Sequence, residues 1–69
     1  MSFETSVMTK VSDTLGTDAH AQFCYGSLFV ECNEEDALSL FHRLYKDMNG
    51  KVLISKAKCS PEFIFDFTA

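Results

Sequence analysis

Positive charge is scarce in this 69-residue chain: six Lys and Arg stand against ten Asp and Glu, for a formal net charge of −4. A protein that gains affinity by releasing counterions from phosphates needs clustered basic residues. Only Lys51, Lys56 and Lys58 gather in one segment, so the balance speaks against a nucleic-acid partner. Cysteine is sparse and badly spaced for a metal. Cys24, Cys32 and Cys59 form no close Cys-x2–4-Cys pair of the kind structural zinc uses. On one strand, Cys24 and Cys32 lie roughly 26 Å apart at 3.3 Å per residue. Neither metal nor cofactor is expected, and the thiols read as small apolar core residues. The three glycines are scattered, so no glycine-rich phosphate loop exists. No apolar run approaches the roughly 20 residues that span a bilayer. The opening Met1-Ser2-Phe3-Glu4 has neither a basic region nor an apolar one. With three cysteines that cannot all pair, reduced thiols and a cytoplasmic setting are expected.

Catalysis finds equally little support. A Cys–His pair could be drawn from His20 or His42 with a cysteine, yet no spacing brings them together. His42 falls at the edge of an apolar helical stripe, the place of a boundary histidine. Glu34, Glu35 and Asp36 could supply paired carboxylates for acid–base work. Their position at the start of a helix already accounts for them. The expectation is a protein that is not an enzyme.

Apolar patterning is what the sequence does have. Phe3, Val7, Val11 and Leu15 recur at four-residue steps and predict a helix over 3–15, capped by Ser2 and ended by Gly16. Three threonines and Ser6 weaken that helix intrinsically, so it needs a packing partner. Residues 20–32, rich in aromatic and β-branched side chains, read as one long bent strand, with Gly26-Ser27 as a bulge or, alternatively, a turn. A second helix over 34–48 starts at the N-cap Asn33, with acidic residues on the positive end of its dipole. Ala37, Phe41, Leu44 and Met48 define its apolar stripe, and Leu38 and Tyr45 widen it. Strands over 51–58 and 62–68 follow as a hairpin around Ser60-Pro61. Phe63, Phe65 and Phe67 alternate with Ile64 and Asp66 and form one aromatic row. Setting Phe63 opposite Ala57, Phe65 opposite Ser55 and Phe67 opposite Leu53 places small residues against rings and Lys58 against Glu62.

The order α-β-α-β-β predicts a single α+β domain over 1–69, with a three-stranded, mostly antiparallel sheet and two helices. A right-handed crossover makes the strands flanking the second helix parallel. The strand at 20–32 is apolar on both faces, which leaves surface to bury. A homodimer is the economical solution, by sheet-face packing or exchange of the first helix. Phe3, Val7, Val11, Leu15 and Tyr25 are the candidate interface. The functional expectation is a small acidic module that binds a protein partner, such as a regulator or inhibitor of a larger protein. The alternative is a single-stranded nucleic-acid binder using sheet aromatics and the Lys51–Lys58 segment.

Overall fold

The computed structural model describes residues 2–68. Ser2 begins the first helix, α1 (Phe3–Leu15): its Oγ accepts the Thr5 N–H at 3.1 Å. Gly16, at φ +94°, ends the helix and returns its N–H to the Ser12 carbonyl. The second helix, α2 (Glu34–Asp47), opens on Asn33, whose Oδ1 accepts the Asp36 N–H at 2.7 Å. It closes through Asn49 and Gly50, both at positive φ, with Gly50 N–H donating back to Tyr45 O at 2.8 Å. That bond reaches from two residues past the cap to the last full turn, as in a Schellman ending.

Residues 20–32 are two strands, not one bent strand. The strands β1 (His20–Cys24) and β2 (Ser27–Glu31) form a hairpin closed by Cys24 opposite Ser27. Its two-residue turn is Tyr25-Gly26, both at positive φ, as a type I′ turn requires. Tyrosine pays sterically for that conformation, whereas glycine does not. The sheet therefore has four strands. With β3 (Val52–Lys56) and β4 (Glu62–Phe67) the order is β1-β2-β4-β3, every neighbouring pair antiparallel. The strands β2 and β3 run the same way, but β4 lies between them.

The β3–β4 register also departs from expectation by one residue. Phe63 faces Lys56, Phe65 faces Ile54 and Phe67 faces Val52. The aromatic row keeps its face, and β3 turns over. Val52 and Ile54 then join the core side in place of Leu53, Ser55 and Ala57. Two β-branched side chains fill the core better than one leucine and two small residues. The cost falls on Leu53, now 60% exposed, and on Lys56, which faces a ring and sets its ammonium 5.9 Å from the Phe63 centroid.

Both helices lie on the face of the sheet that carries Leu28, Val30, Phe63 and Phe65. Val7 and Val11 of α1 and Ala37, Leu40 and Leu44 of α2 complete a closed core with them. Leu40 belongs to this core, while Leu38 and Tyr45 stand outside it and Phe41 and Met48 are half-buried. The low-propensity α1 is held chiefly by burial of its two valines, about 1.5–3 kcal/mol each. Lys10–Asp47 at 3.1 Å and Arg43–Asp13 at 3.7 Å link the helices. Partly exposed pairs of this kind contribute only about 0–1 kcal/mol.

Candidate interaction surfaces

The interface expected from the sequence does not come together as one patch. Val7 and Val11 are closed inside the chain's own core. Phe3 is half-exposed and packs edge-on to Phe67 at 5.0 Å and Phe23 at 6.5 Å between ring centroids. Tyr25 projects fully into solvent at the hairpin tip, near that end of the sheet. Leu15 is half-buried at the far end of α1, roughly 18 Å from Phe3 at 1.5 Å per residue. There it borders a groove with Asp18, Cys32 and Asn33.

Two other surfaces emerge. The first is the outer face of the sheet, on which no described element lies. Strand pairing places Gln22, Phe29, Ile64 and Ser55 in one row across all four strands. The row on one side is Cys24, Ser27, Asp66 and Leu53, with Ser27 Oγ donating to Asp66 Oδ1. On the other side stand His20, Glu31 and Glu62. Phe29 and Ile64 are half-buried only by their sheet neighbours. The face thus has an apolar centre between carboxylates. A groove of about 380 Å³ opens at its acidic end, lined by His20, Gln22, Phe29, Glu31 and Glu62.

The second surface surrounds β3, an edge strand. Leu38 and Tyr45 of α2 are exposed on one side of it and Leu53 on the other. The Tyr45 ring is tilted against the Phe41 ring, 5.6 Å between centroids, and lies against Gly50, where an added Cβ would come within 3.2 Å of it. Sequence reasoning assigned Leu38 and Tyr45 to the buried stripe and Leu53 to the inner face. The helical phase of Leu40 is the signal that could have corrected the first: a core centred on Ala37, Leu40 and Leu44 leaves Leu38 and Tyr45 on the flank.

The chemistry-bearing side chains remain dispersed. Cys24, Cys32 and Cys59 are free thiols, the first and last exposed. Burial pushes the Cys32 thiol above its usual range, and the nearby Asp36 carboxylate adds to the effect. Among the described residues no three His, Cys, Asp or Glu side chains group closely enough to hold a metal ion. No described helix is long and apolar enough to cross a membrane. Comparison with protein-family models, curated proteins and solved structures finds no match to the chain.

Proposed function

We propose that this protein is a non-catalytic, homodimeric binding module that acts by occupying an apolar surface of a protein partner. The observation that carries the reading is the outer face of the sheet. Phe29, Ile64 and Leu53 lie there uncovered by any described element, with Glu31, Glu62 and Asp66 around them. An apolar centre gives affinity through area removed from water, and a charged rim selects the approach of a complementary partner. The partner that fits is a protein with an apolar patch bordered by lysine and arginine, and the module is its acidic regulator or inhibitor. We place it in the cytoplasm, where three free thiols stay reduced. The carboxylates on this face weigh against the nucleic-acid alternative. A single-stranded binder sets its aromatics among cations, and Phe29 is the one Phe, Tyr or Trp in the outer rows.

Quantitative affinity capture from the native host tests this reading, comparing the natural chain with a Leu53→Asp variant of equal melting temperature. The expected result is a protein retained by the natural chain, lost by the variant and released by rising salt. Equal retention by both chains would remove the outer face from the account. Submicromolar binding of a single-stranded oligonucleotide would replace the reading altogether.

A further inference from the structure

We infer that the dimer forms through the free edge of β3 together with the outer flank of α2, the partner being a second copy of this chain. The inference rests on the dimeric reading above and supplies its surface. Two backbone bonds fix the alternation of the β3–β4 ladder: Ala57 N–H donates to Glu62 O and Thr68 N–H to Lys51 O, both at 3.0 Å. Residues bonded to a neighbour alternate with residues that face away. The N–H and C=O groups of Val52, Ile54 and Lys56 therefore point to the open edge.

The helix above that edge is apolar where it overhangs. Its ion pairs turn Arg43 and Asp47 toward α1. Leu38, Phe41 and Tyr45 follow at i, i+3 and i+7 on the opposite flank. With Leu53 beneath, three of the five exposed large apolar side chains among the described residues gather around this one strand. The other edge strand, β1, carries His20, Gln22 and Cys24 on its outer face. The five-residue edge of β3, flanked by apolar side chains, is open to pairing unless something closes it.

Charge decides the occupant. A two-fold axis through Ile54, the midpoint of β3, pairs β3 antiparallel with its copy and reverses α2 against its copy as well. Leu38 then approaches Tyr45 of the partner subunit. Glu34 and Glu35, at the acidic start of α2, come to Lys46 of the partner subunit, at its basic end. The helix dipoles oppose each other in the same arrangement. The contact is isologous and closes on itself, since each copy has one β3 edge. Two four-stranded sheets become one of eight strands with all helices on one side. The outer face becomes a single platform of twice the width.

Light scattering at micromolar concentration, with hydrogen exchange on the same samples, tests the assignment. The expected mass is twice the 7.8 kDa of the chain, with the Val52, Ile54 and Lys56 amides gaining protection as concentration rises. Leu38→Glu and Tyr45→Glu should each weaken the dimer at least tenfold while leaving circular dichroism unchanged. Lys46→Glu should weaken it less, and adding Glu34→Lys with Glu35→Lys should restore it. A dimer that ignores the Leu38 and Tyr45 variants and leaves the three amides unprotected would overturn this surface and spare the dimeric reading. A monomer mass with unprotected amides at all concentrations would overturn both.

Discussion

On its inner face the sheet presents Leu28, Val30, Phe63 and Phe65, all closed from water beneath two helices. On its outer face the intervening residues, Phe29, Ile64 and Asp66, have no described element above them. Both faces are made by the same strands, and residues one apart in sequence differ entirely in environment. Apolar character does not decide which fate a residue meets, because Ile64 is as hydrophobic as its buried neighbours. Parity along the strand decides it, and parity is set by register.

The sharpest way to break that comparison is to truncate one residue from each face. Phe65→Ala removes a fully buried ring and should cost about 3–5 kcal/mol, close to the whole stability of a small domain. Leu53→Ala, on the outer face, should stay within about 0.5 kcal/mol in the monomer. Denaturant melts of the two variants give the contrast directly, and similar midpoints would mean that the faces are misassigned. Val7→Glu belongs with the first class. It places a carboxylate in a closed apolar core and should unfold the chain rather than merely expose an interface.

A gentler probe acts on the turn that fixes the parity of β1 against β2. Tyr25 occupies a left-handed conformation at φ +51° that asparagine adopts more readily. Tyr25→Asn should therefore stabilise the domain by about 0.5–1 kcal/mol, and a lowered melting temperature would argue against the Tyr25-Gly26 turn. The smallest effect concerns the thiols. Cys24 lies on the outer face and Cys32 packs against the core. Alkylation at neutral pH should modify Cys24 well before Cys32. Because the folded Cys32 thiol titrates above its ordinary value, its stabilising contribution is full below the unfolded pKa. That contribution is lost as pH rises through the folded one. Alkaline melts should show this loss, and Cys32→Ala should flatten it.

The helices were readable from sequence because their caps and apolar spacing agree: Ser2 and Gly16 bracket one, and Asn33 opens the other. The α+β character and the aromatic row of β4 were readable for the same reason. The hairpin was not, since its turn is built on a tyrosine, a residue that otherwise favours strands. The β3 register failed by one because several pairings with the Phe row look acceptable when only two strands are considered. The choice between Leu53 and its neighbours Val52 and Ile54 is made by α2, which lies above the finished sheet. The candidate surfaces inherited the register error, since Leu53 became a surface residue only through it. Val7 lies in the core because α1 packs onto its own chain.

The strand order has a consequence for how the molecule comes into being. The last strand in sequence, β4, is held between β2 and β3, so it supplies the hydrogen-bond partners of both. During synthesis, everything up to Lys58 can be made while the β1–β2 hairpin and β3 still have nothing to join them. Each then presents an unpaired inner edge and an uncovered apolar row. Sheet closure thus waits for β4, and a chain interrupted before Glu62 is an adhesive fragment rather than a smaller domain.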